Sequence, residues 1–494
     1  MTDISLFKHP DCFYIGGEWV KPSSSASIDV LNSSTEERFL TVAEAQAGDV
    51  NRAVAAARTA FDIGPWPQLS HAERAAYLIE IGEEFTRRAH DTALHWSTES
   101  GLLHKAALNL AGTLEGIYKF YAAQASTYPF LERHTAADGG VGLLVREPVG
   151  VVAAIIPWNA PPLLTAHKCS PALLAGCTVI LKASPEAPGA AYMLAEACET
   201  VGVPPGVVNI LTADREVSEL LVRHPNVDKV TFTGSTAAGR KIASICGERI
   251  ARCTLELGGK SPAVILDDFD VEVAAKTLAE RTPFLTGQVC ASLTRIIVSE
   301  RKHDALVDAL SAELAKIYVG NAFDPASNMG PLAMQRQRDR VEGYIKKGKA
   351  EGAQLAYGGS RPAHLNRGYF IEPTLFGRVD NRSSIGRDEI FGPVLSVIPA
   401  SSEAQAVEIA NDTIYGLNAA VFTNDAERAY SIGRKIRSGS VGHNGHRTDF
   451  TIAFGGFKQS GMGREGGKES LSAFTEIKTL VLNELPASAA KQLT

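Results

Sequence analysis

The sequence predicts an α/β protein built on two open parallel sheets with helices packed on their faces. Three observations carry that reading. From Val151 onward, short apolar and partly β-branched runs alternate with helical segments, as in parallel strands joined by right-handed crossover helices. The runs Val151–Ile156 and Thr178–Lys182 show no inside–outside alternation, which suits strands buried on both faces. After Glu256-Leu257-Gly258-Gly259 a second series begins, so the two sheets should meet near residue 258. A chain of 494 residues has room for two or three domains at ~150 residues each.

The elements follow in order. Val50, Val54, Ala57 and Phe61 recur along one helix face. Ser70 and Glu73 form a capping-box pair that opens the next helix and satisfies two orphan backbone donors. The first parallel series then comprises strands Val151–Ile156 and Thr178–Lys182 and helix Pro188–Val201, stopped at Gly202. Strand Val207–Leu211, a helix around Val217–Arg223 and strand Lys229–Thr233 complete it. The second series opens with strand Ala263–Leu266 and helices near Val271–Arg281 and Lys302–Ile317. Strand Pro393–Ile398, helix Glu403–Asn411 and strand Asn418–Phe422 continue it. Sheets of this kind bind ligands beyond the carboxyl ends of their strands, so residues just after strands are the first candidates for chemistry.

Composition excludes several classes. Lys+Arg 49 against Asp+Glu 55, a net charge of -6, offers no electrostatic footprint for nucleic acid. No apolar run approaches the ~18 residues that cross a bilayer, and the longest, Val149–Ile156, is cut by Pro157. The N-terminus lacks a basic start followed by an apolar block, so no signal peptide is expected. Seven cysteines without a CxxC pair argue against a disulfide framework or zinc ribbon. The expectation is a soluble cytoplasmic protein with reduced thiols.

Several strand ends carry unusual polar or glycine content: Pro157-Trp158-Asn159, Lys182-Ala183-Ser184, Phe232-Thr233-Gly234-Ser235, Leu255-Glu256-Leu257-Gly258-Gly259-Lys260 and Gly287-Gln288-Val289-Cys290. With Glu389-Ile390-Phe391-Gly392-Pro393 and Gly455-Gly456-Phe457-Lys458-Gln459-Ser460-Gly461, they closely resemble the aldehyde dehydrogenase superfamily, in its hydrolytic, NAD(P)-dependent branch. The resemblance runs from Tyr14-Ile15-Gly16-Gly17-Glu18-Trp19, similar to the family's first strand, to Phe474-Thr475-Glu476-Ile477-Lys478. It implies a Rossmann-like cofactor domain over 1–127 and 148–257 and a catalytic domain over 258–474. It also implies a small β oligomerisation arm from 128–147 and 475–494, and hence a homo-oligomer, a dimer or a dimer of dimers.

Cys290 is the candidate nucleophile, since Gly287 and Gln288 place it on a tight loop rather than in an apolar run. A thiolate can attack an aldehyde, and loss of hydride from the adduct leaves a thioester. The resemblance assigns that role to Cys290 and an oxyanion hole to Asn159 with the Cys290 N–H. Hydrolysing the thioester needs a base, and Glu256 at a strand end matches the family's carboxylate, with Glu465 as a proton relay. The presence of Glu256 argues against the CoA-acylating branch. Retention of Cys290, Asn159 and Glu256 argues against an inactive structural or binding protein of the same fold.

On the cofactor side, Gly234-Ser235-Thr236-Ala237-Ala238-Gly239 lies between a strand and a helix and can hold a pyrophosphate. Lys182 and Ser184 follow another strand, and Leu257 a third. By resemblance, Ile156, Pro157 and Trp158 pass along the cofactor while Glu389 and Phe391 grip the nicotinamide ribose. NAD is the expected cofactor. Pro185 stands where NAD-preferring relatives often carry Glu, with Glu186 one place later, which leaves NADP open. A literal GxGxxG at Gly461–Gly466 is set aside, because no strand precedes it and it lies far along the chain from the first series. His443 and His446 lack the context of a metal site, so none is expected. The resemblance places Ala160, Leu164, His167, Phe284, Leu285, Thr448 and Phe454 along an aldehyde tunnel. With small Ala160 and no aromatic cage, a medium-sized apolar aldehyde is expected, aromatic or branched aliphatic.

Overall fold

The computed structural model describes residues 7–137 and 139–493. Six strands form the first sheet, in the order Gly461–Met462, Arg252–Glu256, Lys229–Thr233, Val151–Ile155, Thr178–Ala183, Val208–Thr212. All neighbours are parallel except the first pair. Val151–Ile155, Thr178–Ala183, Val208–Thr212 and Lys229–Thr233 are buried at every position, which is why their sequences do not alternate. Helices Pro161–Ala175 and Gly189–Val201 contribute to the core on one face. Helix Ala47–Asp62 closes the other through Val50, Val54 and Ala57, against strand residues such as Ile180 and Leu211. Phe61 joins that contact at its margin, half-buried.

The chain lays Thr178–Ala183 and Val208–Thr212 to one side of Val151–Ile155, then restarts at Lys229 on its other side. A crevice therefore opens beyond the carboxyl ends of Val151–Ile155 and Lys229–Thr233, the topological switch point. The second sheet has seven strands, ordered Gln354–Tyr357, Thr374–Gly377, Val394–Ala400, Leu293–Ser299, Ser261–Ile265, Ala420–Phe422, Gly442–His443. It is parallel apart from its Gln354–Tyr357 edge.

Three features differ from the sequence reading. Tyr14–Trp19 is a hairpin, Tyr14 opposite Trp19, turned by Gly16 and Gly17 at φ +67° and +84°. The glycine run set aside as remote returns to the first sheet, where Gly461 pairs with Glu256 and Met462 with Leu255. Leu471 and Phe474, just beyond it, join the core under the Pro161–Ala175 helix, so residues 461–474 pack on the first unit although the sequence boundaries assign them to the second. Separately, Thr475–Leu482 pairs antiparallel with Val141–Pro148, which also pairs with Leu131–Thr135. The outer residues Ile477 and Val481 of that three-stranded sheet are 64% and 58% exposed.

Candidate active site

The thiol sits on a loop made rigid by backbone geometry. Leu285, Thr286 and Gly287 all take left-handed φ values, +50°, +55° and +71°. Two of these carry side chains that disfavour that region, and fixed partners hold the turn. Thr286 Oγ1 faces the carbonyls of Gly330 (2.9 Å) and Pro331 (3.1 Å). Gln288 is fully buried, its Nε2 donating to the Leu285 carbonyl (2.8 Å) and its Oε1 accepting from the Ala333 N–H (2.9 Å). Asn159 Nδ2 donates to the Gln288 carbonyl at 2.9 Å, and Trp96 Nε1 donates to the Asn159 carbonyl at 2.9 Å. This chain of bonds joins the end of the first sheet's central strand to the loop bearing Cys290. One amide hydrogen of Asn159 is thereby spoken for and one is left. Cys290 itself is half-buried. Burial, then Glu389, then Glu256 push its thiol pKa up, while the Ala291 and Cys290 N–H groups pull the other way.

Two carboxylates lie behind the thiol. Glu256 ends its strand 3% exposed, and neither carboxylate oxygen has a hydrogen-bond partner among the described residues. A Cβ on Gly455 would stand 2.8 Å from Glu256 Oε1, so the glycine makes room for the carboxylate. Burial and the neighbouring Glu465 hold the Glu256 pKa well above the carboxylate range, against Lys168 and Arg464. Glu465 is also buried, and its Oε1 pairs with Lys168 Nζ, which reaches Thr231 Oγ1 at 3.2 Å. Glu465 is backbone-bonded both ways to Phe454, at 2.6 and 2.7 Å. Lys168 was not foreseen, and its signal was a lone lysine inside the apolar helix Pro161–Ala175.

The cofactor-side residues gather at the switch point. Ser235 caps helix Thr236–Glu248, accepting from the Ala238 N–H, and leaves the first-turn donors facing the crevice. Leu257 packs over Gly239, where a Cβ would lie 2.4 Å from Leu257 Cδ2. The buried Thr233 Oγ1, just before Gly234, has no hydrogen-bond partner among the described residues. Lys182 donates to the Ala213 carbonyl at 3.3 Å, and burial lowers its pKa to about 8 against Glu186 and Asp214. Ile156 N–H bonds the Lys182 carbonyl at 3.2 Å, and Ser100 Oγ holds the Trp158 carbonyl. Trp158, after Pro157, meets Phe391 edge-on at 5.4 Å. Glu389 Oε1 accepts from the Gly259 N–H at 3.0 Å, and burial raises its pKa to about 7. Orphaned donors, a buried lysine and glycines that admit close approach suit a dinucleotide phosphate and its riboses.

The tunnel side is apolar. Ala160, Leu163, Phe284 and Val289 pack around Trp96, Leu102 and Leu285, while Val289, Cys290 and Phe450 pack with Ala291, Leu417 and Phe454. Leu164, half-buried like Leu163, packs against the core under helix Pro161–Ala175. His167 stacks on Phe450 at 4.3 Å and Phe450 on Phe454 at 4.4 Å, with the Tyr121 hydroxyl 3.4 Å from His167 Nδ1. Burial, then Lys168, depresses the His167 pKa to about 3, so the imidazole is neutral. Phe450 was missed: its spacing from Phe454 was readable, but not that both face the thiol. Thr448 is half-buried on the same loop, and His446 lines a cleft with Arg281, Phe284 and Val289. His443 Nε2 lies 3.0 Å from the Thr423 carbonyl, and the described residues contain no group of three or more potential metal ligands.

A thiol backed by buried carboxylates, beside a dinucleotide crevice and at the end of an apolar tunnel, is the layout of a dinucleotide-dependent oxidoreductase. The chain belongs to the aldehyde dehydrogenase family, NAD-dependent oxidoreductases of the aldehyde group, whose family model matches residues 19–480. A geranial dehydrogenase of Castellaniella defragrans is 42% identical over 95% of this chain and 98% of its own. A 3-succinoylsemialdehyde-pyridine dehydrogenase of a Pseudomonas species is 40% identical, with coverage of 95% and 98%. Among solved structures, a Mycobacterium tuberculosis aldehyde dehydrogenase complexed with NAD+ superposes with TM-score 0.93 at 42% identity, covering 96% of this chain and 98% of that one. A Pseudomonas syringae aldehyde dehydrogenase variant complexed with NAD+ and octanal gives TM-score 0.93 at 36% identity, covering 97% and 98%.

Proposed function

We propose that this protein oxidises medium-sized apolar aldehydes to carboxylic acids through a covalent adduct on Cys290, with Asn159 holding the oxygen and Glu256 activating water. The observation that carries the reading is that Asn159 bonds the Gln288 carbonyl of the Cys290 loop while Glu256 lies close enough to raise the Cys290 thiol pKa. Cys290 Sγ bonds to the aldehyde carbon, and the thiol proton passes to solvent or to Glu256. The carbonyl oxygen becomes an oxyanion, held by the remaining Asn159 amide hydrogen and the Cys290 N–H. NAD, when bound, accepts the hydride that leaves the same carbon. The resulting thioester is attacked by a water whose proton Glu256 takes, and cleavage of the C–S bond frees the acid and restores the thiol. Glu256 suits this task because, among the described residues, it has no hydrogen-bond partner to compete, and burial with the neighbouring Glu465 raises its pKa well above the usual carboxylate range. Glu465, tied to Lys168, sits where it can carry that proton onward.

Lys182, Ser184, Gly234, Ser235, Gly239 and Leu257 would hold the adenosine and pyrophosphate portion, with Ile156, Pro157, Trp158, Glu389 and Phe391 along the nicotinamide portion. The stacked wall His167–Phe450–Phe454, uncharged throughout, supports an apolar substrate, flat or branched, over a charged semialdehyde. The geranial and octanal in the relatives' descriptions are of that kind. The three-stranded arm favours a homo-oligomer, since its exposed Ile477 and Val481 need a covering surface. All seven cysteines are free thiols, which favours a reducing cytoplasm. The test is NADH absorbance with a panel of aldehydes graded by size and charge. Best kcat/KM on aromatic, terpenoid or C6–C10 aldehydes supports the reading, and a preference for carboxylate-bearing semialdehydes would defeat it.

A further inference from the structure

In a doubly wound sheet, an acidic side chain near the end of the second strand takes the adenosine ribose 2′-hydroxyl, and a nearby arginine accommodates a 2′-phosphate. Strand Thr178–Ala183 is that second strand, reached from Val151–Ile155 through helix Pro161–Ala175. The segment after it presents both groups at once. Glu186 accepts a hydrogen bond from Ser184 Oγ and forms an ion pair with Arg336. Arg336 comes from the second unit, at the start of helix Gln335–Ala350, so the pair bridges the mouth of the cleft. The two side chains are 19% and 57% exposed and border an open cleft lined also by Asp29, Pro185, Met334 and Asp339. Lys182, the cation closest along the chain, is buried and committed to the Ala213 carbonyl. Pro185 makes no ribose contact of its own, having neither carboxylate nor N–H.

We propose that the Glu186–Arg336 pair is this protein's selector between dinucleotides: Glu186 receives the 2′-hydroxyl of NAD, and by holding Arg336 it withholds from NADP a cation for the 2′-phosphate. A phosphate there meets the Glu186 carboxylate and, nearby, Asp339 and Asp29, and must break the ion pair to gain its arginine. An arginine freed of its carboxylate presents a planar fork matched to phosphate geometry. Selectivity is then reversible by one neutralising substitution, because the phosphate-binding group is already in place.

The inference rests on the proposed course of the dinucleotide past Lys182, and its test separates the two. NADH and NADPH are titrated against the wild type, Glu186→Gln, Arg336→Gln, the double variant and Lys182→Ala, with cofactor fluorescence giving each Kd. Glu186→Gln should lower the NADPH-to-NADH ratio of Kd values at least about fivefold, and the double variant should lose most of that gain. Arg336→Gln alone should not improve NADPH binding. Circular dichroism and the thermal midpoint of each variant report that the fold is intact. If Lys182→Ala leaves NADH affinity unchanged, the course of the cofactor is wrong and the selector falls with it. If Lys182→Ala weakens NADH but Glu186→Gln changes the ratio less than about fivefold, or the double variant keeps the gain, the selector alone is overturned.

Discussion

In the proposed course of the reaction Cys290 and Glu256 act in different halves, and their substitutions should separate them. Cys290→Ala removes the atom that bonds the aldehyde but none of the groups around the crevice. NADH formation should fall to below about 1% of wild type, given the ~10²–10⁴-fold or larger cost of losing a nucleophile or base, while NADH still binds by fluorescence titration. Glu256→Gln keeps the volume of the side chain and removes its basicity. A stopped-flow trace should show one enzyme equivalent of NADH followed by a steady rate slower by about 10²-fold or more. Equal loss of burst and steady rate would place Glu256 before the thioester instead. His167 has a different consequence. Its pKa drops from the ordinary imidazole value of 6.5 to about 3 because burial excludes the cation. Between those values the unfolded chain binds a proton that the native state refuses, so this contribution to stability is complete above pH 6.5 and lost as pH falls towards 3. Relative to His167→Gln, the wild type should lose about 2 kcal/mol between pH 6.5 and 5, at ~1.4 kcal/mol per pH unit, in urea unfolding. A pH-independent difference would mean that the imidazole is solvated.

At the scale of elements, the proposed reaction needs close approach between the ends of two sheets. The strand ending at Glu256 runs into Gly258 and Gly259, and the Cys290 loop lies directly on them. A Cβ on Gly259 would stand 2.3 Å from the Cys290 carbonyl oxygen and 3.2 Å from Leu417 Cβ. Because the nearer obstacle is backbone, Gly259→Ala has to displace the nucleophile loop. Displacements near 1 Å can cost about 10²-fold, so the NADH burst rate should fall at least tenfold, on the order of that figure, with secondary structure retained by circular dichroism. An unchanged burst would show that the loop adapts freely. The strand Gly461–Met462 is the complementary device, since it seals the open edge at Arg252–Glu256. It also carries the chain on to Glu465, beside Glu256.

For the whole molecule, the arm is the feature that a single chain leaves unfinished. Its three antiparallel strands present Ile477, Leu480 and Val481 to solvent, and a small isolated sheet with an apolar outer face invites pairing. Covering it by a symmetric contact gives a dimer or dimer of dimers. Light scattering at micromolar protein should return a multiple of the 52.6 kDa chain mass. Deletion of residues 475–494 should then release monomers or abolish folding, because Thr475–Leu482 also pairs with Val141–Pro148 along its length. A monodisperse 52.6 kDa particle in the intact protein would refute the arm as an interface.

What the sequence determined by itself was whatever a short stretch of chain can encode. Buried parallel strands announce themselves as apolar runs, helix starts as Ser70 with Glu73 or Ser235, and close approaches as glycines beside a polar residue. Cys290, Asn159 and Glu256 stand out as candidates for that reason, each at a strand end or in a tight turn with distinctive neighbours, while the roles proposed for them come from the resemblance to the family. The tertiary structure alone decided what depends on residues far apart in the chain. Lys168 reads locally as a misplaced charge until Glu465 meets it, 297 residues away. Phe450 reads as a loop aromatic until His167 stacks beneath it. Glu186 reads as a neighbour of the wrong position until Arg336 arrives from the other unit. Ion pairs, stacks and edge strands are made across loops whose closure costs entropy that grows only slowly with length, so sequence separation carries almost no information about them.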